Sequence, residues 1–241
     1  MDLFVDSFDF DLGWTVTGNA TDGMWERAVP NSGLRGDPAM DAESTGVGFC
    51  FVTDNDNFPN DNTDVDGGAT TLTSPVMDAT GGADEVAFLS YFRWYSNNFG
   101  DGASADTFDI EISNNGGTTW TDLETVGPAG AGTSCGWILV EHRIDSVLSP
   151  TNNMRVRFTA SDFGAGSIIE AGVDAVKIRL AECESDVIHG DVNMDGLINL
   201  LDVQPFVDLI SSGEFQAEAD VNKDGTVNLL DIDPFIDLLT S

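Results

Sequence analysis

The sequence predicts a mainly β protein, in which a two-sheet, jelly-roll-like sandwich is followed by a small helical unit that binds calcium. Short apolar segments separated by turn residues occupy residues 1–183, with no helical period among them. After residue 189 the chain carries an internal repeat. Each copy of the repeat places oxygen-bearing side chains at alternate positions before an apolar helical pattern, which is typical of calcium loops.

Residues 1–183 contain about ten segments with strand patterning. One long apolar segment, residues 85–96, has the character of a central strand, and Asn114–Gly117 is a hairpin signal between two others. The strands are predicted at residues 8–12, 48–53, 70–76, 85–96, 109–113, 119–123, 137–144, 154–160 and 173–180. Residues 184–189 form a short junction, and residues 190–241 form the helical unit.

The helical unit is predicted from a duplication. Residues 190–210 return 29 positions later as residues 219–239, and thirteen of the 21 aligned residues are identical. In each copy, oxygen donors fill positions one, three, five, seven, nine and twelve of a 12-residue loop, and glycine fills the sixth position for the sharp turn. The predicted ligands are Asp191, Asn193, Asp195, the Leu197 carbonyl, Asn199 and Asp202, then Asp220, Asn222, Asp224, Thr226, Asn228 and Asp231.

These loops resemble the repeats of the dockerin type I family, which also has aspartate at the twelfth position and a helix after each loop. The resemblance covers about one fifth of the chain and implies a calcium-dependent helical pair with two ions that docks on a cohesin. Dockerins often carry small hydroxyl residues at the tenth and eleventh positions. Leu200, Leu201, Leu229 and Leu230 occupy them here, which favours packing within one assembly.

A second acidic stretch, residues 54–68, follows a predicted strand and is interpreted as either a calcium site or an acidic surface loop. Asp54, Asp64 and Asp66 are its candidate ligands for a third ion, which a buried acid at Glu170 or Asp174 could share. The sandwich resembles MAM-like or carbohydrate-binding jelly-roll modules of secreted bacterial proteins. In that setting Trp94, Tyr95, Trp120 and Trp137 form either a sugar-stacking platform or part of the core.

Three cysteines allow at most one internal disulfide, for which Cys50 and Cys135 are the candidate pair because Cys183 lies at the domain boundary. Asn19 begins an Asn-Ala-Thr sequence and is a candidate glycosylation site. The first residues lack the basic region and apolar run of a signal peptide, so we expect any such segment to be absent from this numbering.

The composition limits the possible functions. A formal net charge of −33 repels nucleic acid and anionic membranes and attracts divalent cations. The chain has two histidines and none of the common catalytic motifs, so we expect no enzyme activity.

The sequence therefore predicts an extracellular, calcium-binding structural or assembly protein, with a self-associating surface or fibre subunit as the preferred form. The alternative is a carbohydrate-binding module that is anchored through its helical end. The expected partners are copies of the same chain or another extracellular protein, with a glycan in the alternative case.

Overall fold

A computed structural model describes residues 1–31, 36–43, 48–55, 64–164, 166–182 and 187–240. The chain divides into two compact units, Met1–Cys183 and Glu184–Ser241. Residues 56–63 of the acidic stretch, residues 184–186 of the junction and Cys183 lie outside the described residues. Within the described ranges, no helix has the length and apolarity needed to cross a membrane.

The first unit is an antiparallel β-sandwich of two sheets. Its strands are β1 (Asp2–Asp6), β2 (Thr15–Gly18), β3 (Trp25–Ala28), β4 (Cys50–Thr53), β5 (Gly68–Thr73), β6 (Glu85–Gly100), β7 (Phe108–Ser113), β8 (Thr121–Val126), β9 (Ile138–Arg143), β10 (Arg155–Asp162) and β11 (Ser167–Glu182). The six-stranded sheet has the order β3-β4-β11-β6-β9, and β1 also pairs with β11. The five-stranded sheet has the order β2-β5-β10-β7-β8. The predicted mainly β sandwich is confirmed.

The core lies between the sheets and follows the two-residue period of the strands. In β10 the side chains of Val156, Phe158 and Ala160 are fully buried. Phe158 makes an edge contact with the ring of Tyr91 at a centroid distance of 5.1 Å, and Tyr95 stacks on Phe108 at 5.5 Å. These side chains come from both sheets, so aromatic packing joins the two layers.

The strand predicted at residues 8–12 is wrong. The carboxylate of Asp6, which is buried, accepts hydrogen bonds from the Phe8 main-chain N–H and the Trp14 indole N–H, each at 2.8 Å. Phe8 adopts a left-handed φ of 61°. The chain therefore turns here, which places Phe8 in the core and leaves Phe10 exposed. The strands β2 and β3 were not predicted, because each has only four residues.

The six-stranded sheet is covered on its outer face by residues 36–43, here called the cover segment. In β11 the core residues Ile169, Ala171 and Val173 alternate with outward residues, including Asp174. The indole N–H groups of Trp94 and Trp137 donate to the carbonyls of Gly36 and Met40, at 2.6 and 2.8 Å. The Ala42 N–H donates to Asp174 Oδ2 at 2.8 Å. The outer face is therefore buried where this segment crosses it.

The predicted disulfide between Cys50 and Cys135 is wrong, because both residues are free thiols. Cys50 lies on β4, and the negative charges of Asp174 and Asp41 act on its thiol. Cys135 belongs to the segment before β9, where its N–H donates to the Tyr95 carbonyl. Burial, followed by the two nearby carboxylates, raises the pKa of the Cys50 thiol far above its usual range.

The second unit contains two helices, α1 (Val203–Ser212) and α2 (Ile232–Thr240). Its core is small: Val192, Phe206, Ala219 and Phe235 are buried. The rings of Phe206 and Phe235 stack with centroids 4.1 Å apart, so the equivalent phenylalanines of the two repeats meet at the centre. Pro205 and Pro234 lie in the first turn of each helix, where a missing N–H costs no hydrogen bond.

Candidate metal centre

In each of the two repeated loops the main chain folds around the side chain of the first aspartate. The loops are residues 191–202 and 220–231. Asp191 accepts hydrogen bonds from the main-chain N–H groups of Asp195 at 3.1 Å and Gly196 at 2.8 Å. Asp220 makes the equivalent bonds to Asp224 and Gly225 at the same two distances. The sixth-position glycines have φ values of 86° and 87°, which side chains other than glycine rarely adopt. The glycine therefore permits the turn that the loop needs.

The twelfth-position aspartates close the loops. Asp202 is fully buried, and its two carboxylate oxygens accept from the N–H groups of Asn193 and Asn199 at 3.0 and 2.8 Å. Asp231 is likewise fully buried and bonds to the N–H groups of Asn222 and Asn228 at 3.0 and 2.9 Å. Each carboxylate thus joins the third position of its loop to the ninth. This holds the carboxylate against the concave side of the loop.

The ninth-position asparagines have a second role at the start of the helical segments. Asn199 Oδ1 accepts from the Leu201 N–H, and Asn228 Oδ1 accepts from the Leu230 N–H, each at 2.8 Å. At Asn228 this bond caps a short 3-10 helix, Leu229–Asp231, and forms a capping box with Asp231. The amide oxygen is therefore engaged with the backbone. In calcium loops of this type the ninth position often contacts the cation through water.

The exposed edge of each loop carries the third and fifth ligand positions. Asn193 Nδ2 donates to Asp195 Oδ2, and Asn222 Nδ2 donates to Asp224 Oδ2, both at 3.1 Å. The Thr226 hydroxyl donates to Asp224 Oδ1 at 2.6 Å, and this hydrogen bond lowers the pKa of Asp224. The carboxylate of Asp224 is therefore ionised at neutral pH.

The donor set of the loops fits a hard cation. Among the described residues, no three carboxylate, imidazole or thiolate side chains converge closely enough to hold a metal by themselves. A site in either loop therefore needs amide or main-chain oxygens in addition to its carboxylates. A set made only of oxygen atoms suits Ca²⁺, which takes six to eight oxygen ligands.

The structure places the acidic candidates of the sandwich, Asp54, Asp64 and Asp66, in different surroundings. Asp54 is almost fully buried with a φ of 35°. Asp64 lies close enough to Glu170 for its charge to raise the pKa of that group. Asp66 instead pairs with Asp22 in an isolated bridge.

The charge of Asp66 acts on Asp162, whose pKa is raised first by burial and then by the carboxyl groups of Asp106 and Asp66. Asp64 and Asp66, although only two residues apart, therefore face different carboxyl groups.

One acidic contact in the sandwich was missed by the sequence analysis. Glu170 is 1% exposed, and its Oε2 accepts from the Thr53 hydroxyl at 3.0 Å, while its Oε1 has no hydrogen-bond partner among the residues that the structure describes. The carboxyl group of Asp37, in the cover segment, lies within hydrogen-bonding reach of Glu170. Burial, followed by the charge of Asp37, raises the pKa of Glu170 well above its usual value. Asp37 was missed because no pattern placed residues 29–47 over a sheet.

The aromatic residues do not form one platform. Tyr95 is fully buried in the core, and Trp120 lies under the guanidinium of Arg157 at 4.4 Å. Trp94 and Trp137 form an edge-to-face pair with centroids 5.7 Å apart, and both are half-buried under the cover segment. A platform made of all four residues is therefore wrong.

Asn19 is exposed at the end of β2, and its Oδ1 accepts from the Ala69 N–H at 3.1 Å, so its modification stays a prediction.

Comparisons with known proteins match the two units separately. Residues 189–239 match the family model of the dockerin type I domain. No curated protein sequence matches the chain. A cleaved adhesin domain of Lys-gingipain from Porphyromonas gingivalis covers 73% of this chain and 96% of its own, with 14% identity and a TM-score of 0.45.

Two carbohydrate-binding modules are also similar to this chain. The CBM22-1 xylan-binding domain from Paenibacillus barcinonensis covers 76% of this chain and 96% of its own, with 13% identity and a TM-score of 0.39. The family 11 module from Clostridium thermocellum covers 72% and 92%, with 10% identity and a TM-score of 0.39.

Proposed function

We propose that this chain is a non-enzymatic extracellular assembly module, in which the second unit folds around two calcium ions and docks on a protein partner. The match of residues 189–239 to the dockerin type I domain supports the docking role. The observation that carries the proposal is the pair of loops, which the same hydrogen bonds close. Each loop exposes two leucines just before its last residue, four in all. The sandwich is then the part of the chain that docking positions.

The calcium part of the proposal rests on the loop geometry. Each loop contains three aspartates, and its first and twelfth carboxylates are already oriented by main-chain N–H groups. The proposed ligands are those predicted from the sequence, with Asn199 and Asn228 acting through water. Loops of this type fill at the millimolar calcium concentrations found outside cells, which favours an extracellular location.

The docking part rests on exposed apolar surface. Leu200, Leu201, Leu229 and Leu230, here called the docking face, are 79%, 68%, 71% and 68% exposed. An adjoining groove of about 360 Å³ lies between the helices and is lined by apolar side chains, among them Val203, Val207, Ile232 and Ile236. Exposed apolar surface of this kind marks an interaction site, because burying it from water stabilises a complex.

The partner is proposed to be a protein with an apolar recess. The match of the second unit to the dockerin type I domain implies a cohesin as this partner. The leucines at the tenth and eleventh loop positions instead favour a second copy of this chain or another extracellular protein with an apolar receptor site. If the docking face binds a different surface of a second copy, repeated association would build a surface layer or fibre.

Sedimentation and binding measurements on the full chain test this proposal. We expect the chain to self-associate, or to bind one member of a panel of purified cohesin domains, at millimolar Ca²⁺ and not in excess chelator. Replacing all four leucines of the docking face with serine abolishes that association while calcium binding persists. Leu139→Ser is the matched control, because this exposed leucine lies on the sandwich. A chain that stays monomeric and binds no cohesin at millimolar Ca²⁺ contradicts the docking role.

A second candidate function is glycan binding by the sandwich. It rests on the Trp94–Trp137 pair, whose indole N–H groups are fixed by main-chain carbonyls while both rings remain partly exposed. Fixed, partly exposed rings can stack on sugar faces at low entropic cost. Polysaccharide pull-down with wild type and Trp137→Ala tests it, and equal retention of the two proteins on every polysaccharide contradicts it.

A further inference from the structure

The groove between α1 and α2 has apolar side chains at helical spacing on both walls. Each helix contributes three aliphatic residues at intervals of four and three positions, which are Val203, Val207, Ile210, Ile232, Ile236 and Leu239. Residues four and seven positions apart lie on nearly the same face of an α-helix, so each set forms a continuous stripe. The buried rings of Phe206 and Phe235 also line the groove. We call this surface the helix groove.

The helix groove has the dimensions of a site that receives another helix. α1 has ten residues and is therefore about 15 Å long, which corresponds to roughly three turns. Val207 and Ile236 are 48% and 50% exposed, so the stripes present apolar surface to water. An amphipathic helix binds such a groove by inserting side chains from positions i, i+4 and i+7 of its apolar face.

Carboxylates flank the helix groove on both helices. Asp208, Asp233 and Asp237 each directly follow a groove residue in the sequence, and all three are exposed. Successive positions of an α-helix are turned by about 100°, which places these carboxylates beside the groove. Lys223 is the only lysine or arginine in residues 187–240, and neither helix has a basic residue in its last turn. The groove is therefore apolar with an acidic rim.

A second copy of this chain is a poor electrostatic match for that rim. The whole chain has nine lysines and arginines. Five of them already form ion pairs with carboxylates of their own chain, and these are Arg93, Arg143, Arg157, Lys177 and Arg179. Two copies, each with a formal net charge of −33, also repel each other. Cations that face the rim must therefore come from a different protein.

We propose that the helix groove binds an amphipathic helix of another protein, whose apolar stripe is bordered by lysine or arginine. This inference rests on the proposed docking role of the second unit and specifies the shape and charge of the partner. The apolar side chains of the partner are buried between α1 and α2, while its cations face Asp208, Asp233 and Asp237. Cations near the carboxyl ends of α1 and α2 also interact favourably with the helix dipoles.

Three labelled peptides of about 15 residues, long enough to form helix, test the proposal with the full chain at millimolar Ca²⁺. The first carries a leucine stripe bordered by lysines, the second has the same composition in scrambled order, and the third replaces every lysine with glutamate. Fluorescence anisotropy is expected to show that the first peptide binds about tenfold or more tightly than the second, because only the first buries a continuous stripe. The scrambled peptide measures general attraction to an acidic protein. The third peptide is expected not to bind.

Two variants locate the binding surface. Val207→Ser combined with Ile236→Ser is expected to weaken binding of the first peptide about tenfold or more, because both changes remove apolar area from the groove. Val76→Ser combined with Leu139→Ser is the matched control, since these sandwich residues are 46% and 58% exposed. The control is expected to bind as the wild type does. Far-ultraviolet circular dichroism at millimolar Ca²⁺ checks that each variant keeps its helices.

Asp208→Asn combined with Asp237→Asn tests the acidic rim and leaves the apolar walls intact, so it also serves if the serine variant fails to fold. It is expected to weaken binding of the first peptide about threefold and to make binding less sensitive to salt.

Equal binding of the first and scrambled peptides overturns the proposal, as does a groove variant that binds as tightly as its control. Self-association of the chain that the groove variant abolishes also overturns it, because the occupant is then a second copy. The docking role is measured without peptides, on the four leucines of the docking face, so either result can fail without the other.

Discussion

Asp6 shows how one buried carboxylate can decide a local fold. It accepts from the Phe8 N–H and the Trp14 indole N–H, and it thereby turns a segment that has the alternation of a strand. The alternation of apolar and polar residues predicted a strand here. Such a pattern contains no information about a side chain that competes for main-chain hydrogen bonds. Phe8, Trp14 and Phe51 meet in the core as a result.

Asp6→Ala should therefore destabilise the sandwich. The substitution leaves the buried N–H groups of Phe8 and Trp14 without acceptors, so we expect a loss of about 3 kcal/mol in the free energy of unfolding. Urea unfolding of the full chain, followed by tryptophan emission, measures it. Asp11→Ala removes a similar bond to the Gly13 N–H at an exposed position and should cost less than about 0.5 kcal/mol. Equal effects of the two substitutions would contradict this explanation.

The buried carboxyl group of Asp174 makes the stability of the sandwich depend on pH. Burial raises the pKa of this carboxyl from 3.8 to about 7, against the opposing hydrogen bonds from the N–H groups of Ala42 and Ala175. The folded state therefore binds the proton more tightly than the unfolded state. The stabilisation is complete below the unfolded pKa and is lost as the pH rises through the folded pKa.

We therefore expect the stability of the sandwich to fall between about pH 4 and pH 7, by at most about 1.4 kcal/mol per pH unit from this group. Asp174→Asn should flatten the profile over this window. Thermal melts in chelator across the range measure it, and chelation keeps bound cations out of the comparison. A wild-type profile that rises with pH and is unchanged by the substitution would contradict the assignment.

At the scale of elements, the cover segment determines how the six-stranded sheet is packed. Gly172 on β11 is necessary for this packing, because a Cβ atom there would lie 2.8 Å from the Trp137 ring and 3.2 Å from Trp94 Cβ. The absence of a side chain leaves room for the edge of the Trp137 ring beside the strand. The outer face is thereby buried, although an antiparallel sheet can leave one face in water.

Gly172→Ala should displace the Trp137 ring and loosen the cover segment. We expect a red shift in tryptophan emission and a loss of about 1–3 kcal/mol, the usual range for an overpacked site. Gly164→Ala is the control, since a Cβ there meets no atom within 4 Å. Unchanged emission in the Gly172 variant would show that the ring does not occupy this position.

The sequence predicted elements well where their patterns are long. The segment predicted at residues 85–96 is β6, which is long and apolar at most positions. The segment predicted at residues 154–160 is β10, where apolar side chains recur at every second position. Both helices were predicted from the repeat, because an apolar helical pattern follows each 12-residue loop.

Asp37, in contrast, reaches Glu170 across a sequence separation of more than a hundred residues, in a segment without secondary structure. A local pattern contains no information about such a contact.

At the scale of the whole molecule, the two units differ in what stabilises them. The sandwich has a large core, whereas the described residues of the second unit include four apolar side chains that are completely or nearly completely buried. We therefore expect the second unit to gain much of its folding free energy from the calcium that we propose the loops bind.

We expect excess chelator to unfold the second unit first and to leave the sandwich folded. Helical signal in far-ultraviolet circular dichroism should fall while tryptophan emission changes little, because all five tryptophans lie before residue 138. Returning Ca²⁺ to millimolar concentration should restore the helices, and Mg²⁺ should do so weakly, because it dehydrates reluctantly. A helical signal unaffected by chelator would contradict the calcium-dependent fold.

The pairing of β1 with β11 has a mechanical consequence. The strands are antiparallel, and Asp2 lies opposite Arg179, so the start of β1 lies beside the end of β11, at the same end of the sheet. The chain continues from β11 toward the second unit. Tension between these two points would peel β1 away one residue pair at a time, at low force, before it loaded the long β6–β11 ladder. Tension between the second unit and β9 would instead pass through both the β6–β9 and the β6–β11 pairings, so the resistance to pulling depends on where the sandwich is held.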